Sequence, residues 1–218
     1  MKLLVAMFLC GFAAALSAQI AGPSPAPSQT FTSPDGIFQF HYPGLLVRCT
    51  RHTQADGVSE DWFPQDSCTA YSPVCDDSSS PDIHTLACLA YPKARFPDYP
   101  AFNAAAFSVA QVQQALTEKE CLAGSKNWGL DPHNTGKTIT IHHVQFQMFE
   151  NSDAGMSHYL DEHAYRTFHR NTCYQLSIRE ASTNPGVFDP PIKEFTQQDQ
   201  DEVHNQLQQA LDSFRFLQ

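Results

Sequence analysis

Alternating apolar and polar positions run through most of the chain. Phe38, Phe40 and Tyr42 fall on one face of a segment whose other face carries Gln39 and His41. That is the pattern of a half-buried strand, and Pro43 and Gly44 close it. SPDG at 33–36 leads into it as a turn, with Pro34 presetting φ and Gly36 free to take a positive φ. Ile83–Tyr91, IHTLACLAY, is apolar on both faces and predicts a central strand. Lys137–Phe149 has strand character, with Val144, Phe146 and Met148 alternating with Gln145 and Gln147, and Asn151–Gly155 predicts a hairpin turn. The stretch Glu162–Arg179, EHAYRTFHRNTCYQLSIR, predicts two strands joined by a tight polar connection at Arg170-Asn171-Thr172, or one long bent strand. Its first half places Ala164, Arg166 and Phe168 on one face and His163, Tyr165, Thr167 and His169 on the other; the second repeats as Tyr174, Leu176 and Ile178.

Two segments change period. From Ala101 to about Lys119, Phe102, Ala105, Ala106, Val109, Val112 and Leu116 recur three or four apart, which predicts a helix ended by Gly124. Thr196 with Asp199 forms a capping-box signature for a final helix over Gln197–Asp212, with Val203, Leu207, Ala210 and Leu211 on its apolar face. SFRFL at 213–217 then predicts a short last strand. Strands and helices in this order give the α+β class, an antiparallel β-sheet with flanking helices.

The N-terminus sets the compartment. Lys2 followed by the apolar run Leu3–Ala15 and the small residue Ala18 reads as a secretory signal peptide over 1–18. The mature chain has no predicted membrane span. Residues 19–32, rich in Pro, Ala and Ser, read as a flexible leader, and 33–218 as a single domain. Removal of the signal removes Cys10 and leaves Cys49, Cys68, Cys75, Cys88, Cys121 and Cys173. An even set in an exported chain predicts a disulfide framework whose connectivity sequence cannot choose. Cys68 and Cys75 share the long loop at 50–81, which carries four punctuating residues, Gly57, Pro64, Pro73 and Pro81, so a Cys68–Cys75 staple is the expected bridge. One short strand is expected inside that loop, near Thr69–Tyr71.

SPDGIFQFHYP resembles the first-strand signature of PsbP-like domains, the fold shared with the Mog protein. The long helix expected after the third strand, a late hairpin and a closing helix ending in SFRF fit the same group, and GMSHYLDEHAYRTFHRNTCYQLSIR with the closing ALDSFRFL resembles small exported bacterial proteins of unassigned function. The resemblance spans roughly residues 30–218. It implies a PsbP-like fold and says little about activity, because members serve as photosystem accessory subunits, GTPase-binding factors and lipoproteins. The cysteine-bearing loop between 49 and 88 departs from the group by its length.

Charge and motifs narrow the chemistry. A net charge of −10 argues against nucleic acid and anionic lipid as partners. No GxSxG, HExxH, P-loop or dinucleotide fingerprint occurs, and no cofactor is implied. The candidate ligand-binding residues are Tyr165, His163 and His169 on one strand face, Arg166 on the other, and His158 after the turn, near Asp153, Asp161 and Glu162. His163 with His143 (or His142) from the neighbouring strand is the candidate metal pair. Cys173 beside His169 sketches a thiol and base, but its compartment makes it a disulfide partner. The reading is an exported noncatalytic binding or accessory domain, in the bacterial periplasm or secreted, for an envelope protein or a small ligand. The alternatives are a metal-assisted hydrolase using histidines of the late hairpin, and a structural envelope component.

Overall fold

The computed structural model describes residues 27–53, 60–64, 74–75, 82–96, 101–123, 136–190 and 192–218. The signal segment, most of the leader, Thr69–Tyr71 and Cys68 lie outside the described residues. In chain order the elements are β1 (Ser28–Thr32), β2 (Phe38–Pro43), β3 (Val47–Thr53), β4 (Glu60–Pro64), β5 (Ile83–Ala90), β6 (Phe102–Val112) and α1 (Glu118–Leu122). They continue as β7 (Lys137–Ile141), β8 (Val144–Gly155), β9 (His158–His169), β10 (Thr172–Thr183), α2 (Gln197–Asp212) and β11 (Arg215–Phe216).

Eight strands form one antiparallel sheet in the order β4-β3-β5-β6-β10-β9-β8-β7, and β1-β2-β11 form a second. The small sheet and α2 pack on the same face of the large one. Phe38, Phe40 and Phe214 there share a core with Phe107, Val109, Leu176 and Ile178 of the large sheet and with Val203, Leu207 and Leu211 of α2. Strands dominate, and of the two α-helices among the described residues one is a single short turn. The α+β expectation therefore holds only in its coarse form, antiparallel strands carrying a helix. No helix among the described residues is long and apolar enough to cross a membrane.

The start of the small sheet corrects the leader. Ser28–Thr32 was expected in the flexible segment to residue 32, yet it pairs with β2 from Ser28↔Pro43 to Thr32↔Gln39. Phe31 is the cause: it is buried and stacks on Phe40 at 4.9 Å between ring centroids. The SPDG turn forms as expected, with Gly36 at φ 68° and Ser33 Oγ accepting from the amides of Ile37 and Phe38, both at 3.0 Å.

The expected helix over 101–119 is a strand. β6 lies between β5 and β10 with both faces covered. Ala105, Phe107 and Val109 enter the main core, while Ala104 and Ala106 face a second cluster of Cys49, Cys75, Cys88 and Ala181. An extra residue at Asn103, where the register steps from Ala104↔Ala181 to Phe102↔Ser182, brings Phe102 into the main core as well. Apolar residues on both sides of a strand cannot be told from a helical stripe by periodicity, and alanine favours the helical reading. Leu116, which that stripe places inside, is 78% exposed.

The turns differ too. Asn151–Gly155 is the end of β8, and the chain reverses at Met156-Ser157, with φ of 50° and 67°. His142-His143 (42°, 68°) and Arg170-Asn171 (48°, 61°) make the same kind of reversal. Two-residue hairpins need positive φ at both central positions, a need usually met by Asn-Gly. Of these three pairs only the last has an asparagine, so the others carried little turn signal.

Among the described residues the disulfides are Cys75–Cys88, with Cα atoms 5.9 Å apart, and Cys121–Cys173, with Cα atoms 5.5 Å apart. The expected Cys68–Cys75 staple is therefore corrected. Cys75 sits with Val74 against the sheet, opposite the central strand β5, and nearness along a loop was no guide to nearness in space. Cys173 is a bridge partner, as its compartment implied.

Candidate functional site

The alternation predicted for β9 is present, but its two faces lead to different surroundings. Tyr165 is 4% exposed in the main core, and burial, aided by Asp212 and Glu150, pushes its phenol up to about 12. His163 meets His204 of α2 edge-on at 5.7 Å. His169 stacks on Phe216 of β11 at 3.8 Å, and its Nε2 is buried without a hydrogen-bond partner. Burial, with Arg170 nearby, lowers its pKa. This face is covered by α2 and β11 and is not the open polar surface the strand pattern suggests.

Arg166 points to the opposite face, into a buried polar network. Glu162 Oε1 accepts from Arg179 Nε at 2.9 Å, Ser177 Oγ at 2.9 Å and Gln175 Nε2 at 3.4 Å. Arg166 Nε donates to Gln175 Oε1 at 2.9 Å. Burial lowers the Arg166 guanidinium to about 10, against the pull of Glu162. Cross-strand register explains the assembly: Arg166 stands opposite Gln175, and Glu162 opposite Arg179. Such a network links β9 to β10 and fixes their register.

The candidate metal pair is not brought together. His143 occupies the β7–β8 turn, whereas the residue of β8 opposite His163 is Glu150. Seven positions along a strand separate the two histidines by about 23 Å. His158 also leaves its expected carboxylate company. Its Nδ1 lies 3.0 Å from Thr183 Oγ1, and that hydroxyl is bonded to Asn103 of β6, whose Nδ2 donates to it at 2.8 Å.

His158 instead marks a site that the sequence did not announce. At this end of the large sheet a cavity of about 290 Å³ opens among Ala101, Tyr159, Thr183, Asn184, Phe195 and Gln200. Among the described residues no charged side chain lines it. Its walls are rigidly held. Thr183 N donates to Ala101 O at 2.8 Å, Asn184 N donates to Ser157 O at 2.8 Å, and the Asn184 side chain accepts from Gly186 N at 2.9 Å. Phe195 is fixed edge-on to Phe96 at 5.1 Å and beside Phe102 at 5.0 Å. Tyr159, 42% exposed, lines it, and two more large apolar side chains stand in solvent on segments that run into its lining: Met156 at the hairpin tip is 96% exposed and Val187 54%. The sequence Asn184-Pro185-Gly186 marks a turn here, and alone gives no hint of a cavity.

No family model matches the sequence, and no curated protein matches it. Among solved structures, the chain is similar to cyanobacterial PsbP from Synechocystis, at 10% identity and a TM-score of 0.41, covering 92% of this chain and 98% of that one. It is also similar to LpqN of Mycobacterium tuberculosis, a protein involved in cell envelope biogenesis, at 8% identity and a TM-score of 0.44, covering 88% and 91%. A third similar structure, from Bacteroides thetaiotaomicron, has 9% identity and a TM-score of 0.41 over 87% of this chain; the chain spans 48% of that protein's length. The PsbP-like group that the sequence resembles is thus also among its structural neighbours.

Proposed function

We propose that the protein is an exported, noncatalytic accessory domain that binds its partner at the end of the large sheet around the cavity beside Tyr159. The observation that carries this reading is the coincidence there of a preformed cavity with three exposed apolar side chains, Met156, Tyr159 and Val187. Lone exposed apolar residues need no explanation, but a group of them rimming a concave site is the mark of a binding surface. Two disulfides support an oxidising compartment. The cavity is lined by aromatic, amide and hydroxyl groups, a set that suits recognition.

A photoreactive phenylalanine analogue placed at Met156, with the same group at Leu116 as the comparison, tests this in the native cell envelope. The expected result is one discrete adduct from position 156, absent from position 116 and lost when Tyr159→Ala is added. Equal labelling from both positions, or an adduct indifferent to Tyr159→Ala, overturns it.

A further inference from the structure

The lining of the cavity beside Tyr159 narrows what it can hold. Tyr159 and Phe195 bring aromatic rings to it, and Ser182, Thr183, Asn184 and Gln200 bring hydroxyl and amide groups. Ser182 of β10 stands directly opposite Tyr159 of β9, so the two lie side by side on one face of the large sheet. Gln200 joins them from the start of α2, and Phe195 from the residue before its Thr196 cap. Part of the polar set is committed to the walls. Thr183 Oγ1 is held by Asn103 Nδ2 and His158 Nδ1, at 2.8 and 3.0 Å, and Asn184 Oδ1 accepts from Gly186 N at 2.9 Å. The Ser182 hydroxyl, Asn184 Nδ2, the Gln200 side-chain amide and the Tyr159 hydroxyl are engaged by no other described residue. Ser182, Asn184 and Gln200 are half-buried and Tyr159 is exposed, so all four stay within reach of a ligand.

Resting on the binding reading above, we propose that the cavity takes a neutral saccharide, one sugar unit at the end of a glycan. An acyl chain would cover these hydroxyl and amide groups without pairing them, which is costly. A charged ligand would find no opposite charge in the lining among the described residues. A peptide adding itself as a strand needs an unpaired edge, and β9 and β10 are each paired on both sides. A sugar ring suits both halves of the lining. Its C–H groups carry partial positive charge and pack on the electron-rich faces of aromatic rings. Its hydroxyls both donate and accept, as the serine, tyrosine and glutamine side chains do. The volume, about 290 Å³, stands at the small end of ligand pockets, roughly 300–1,000 Å³, and suits a single unit.

The test is saturation-transfer NMR on the full-length mature protein. The probes are the methyl glycosides of glucose, galactose, mannose and N-acetylglucosamine, with maltose, cellobiose and chitobiose. Saturable binding of at least one probe is expected. Tyr159→Ala should weaken it about tenfold by removing a ring, and Gln200→Ala severalfold by removing an amide. Neither side chain is buried, so both variants should fold, which circular dichroism checks. Leu116→Ala, remote from the cavity lining, should bind as wild type does. Binding that survives both Tyr159→Ala and Gln200→Ala overturns the proposal, and so does a panel in which no probe binds. The adduct from position 156 tells the two failures apart. If it forms while the whole panel is silent, only the saccharide is refuted; if neither is seen, the binding reading falls as well.

Discussion

Glu162→Ala is the sharpest probe of how β9 and β10 are held. The carboxylate is 5% exposed, and one oxygen takes hydrogen bonds from Arg179, Ser177 and Gln175. Removing it takes the carboxylate acceptor from Arg179 Nε and Ser177 Oγ, and one of two acceptors from Gln175 Nε2, which also donates to Ser177 Oγ at 3.0 Å. Breaking a buried ion pair from one side costs about 3–5 kcal/mol. For a domain of this size that lowers the melting temperature by about 6–20 °C. Glu162→Gln keeps an oxygen for Ser177 while losing the charge, and should fall between wild type and the alanine variant. Asp161, one residue earlier, accepts from Ser152 at 2.6 Å in an exposed setting. Asp161→Ala should cost no more than about 0.5 kcal/mol. Urea and thermal unfolding followed by circular dichroism, with disulfides intact, measure all three. If Glu162→Ala and Asp161→Ala destabilise equally, the buried network does not hold the hairpin as argued here.

Leu207→Ala should cost about 2–5 kcal/mol, because this fully buried side chain seats α2 on the sheet and the helix has no other apolar face; denaturant midpoints report it. The His204–Glu180 contact predicts a pH dependence. Its 2.8 Å hydrogen bond raises the imidazole pKa above its usual 6.5, with burial opposing and the charges of Glu180 and Asp201 adding to the rise. The stabilisation is therefore fully present below the unfolded value and is lost as pH rises through the folded one. Melting temperatures recorded across neutral pH should show that decline in wild type and a flatter curve in His204→Gln.

What could be read from the residues, and what could not, follows from range. α2 was legible to its last residue because its signals are local: the Thr196 capping box, with Asp199 Oδ2 accepting from Thr196 N at 3.0 Å, and an apolar stripe on one side. The strand parities of β9 and β10 were legible for the same reason. The identity of β6 was not, because its alternation is hidden by burial on both faces, a property of its neighbours β5 and β10. Nor was the fate of the His163–Tyr165–His169 face. Alternation separates two faces but does not say which one a distant helix covers, and α2 begins 28 residues after His169 (197 − 169). The cavity beside Tyr159 is built from four separated segments, each ordinary in isolation.

The small sheet has a consequence for the order in which the molecule can be assembled. β2, near the start of the described chain, finds its second partner in β11, near the end: Phe38 pairs with Phe216 and Gln39 with Arg215. Ser213 Oγ accepts from His41 N and donates to His41 O, both at 2.7 Å. Phe38 and Phe40, fully buried, complete their packing only against α2 and Phe214. A chain still emerging from the ribosome therefore lacks the lid of this core until Phe214 and β11 have emerged. Contacts of such long sequence separation form late and slowly. Until then the aromatic strand β2 stays without its cover, so the domain cannot close before β11 has been made.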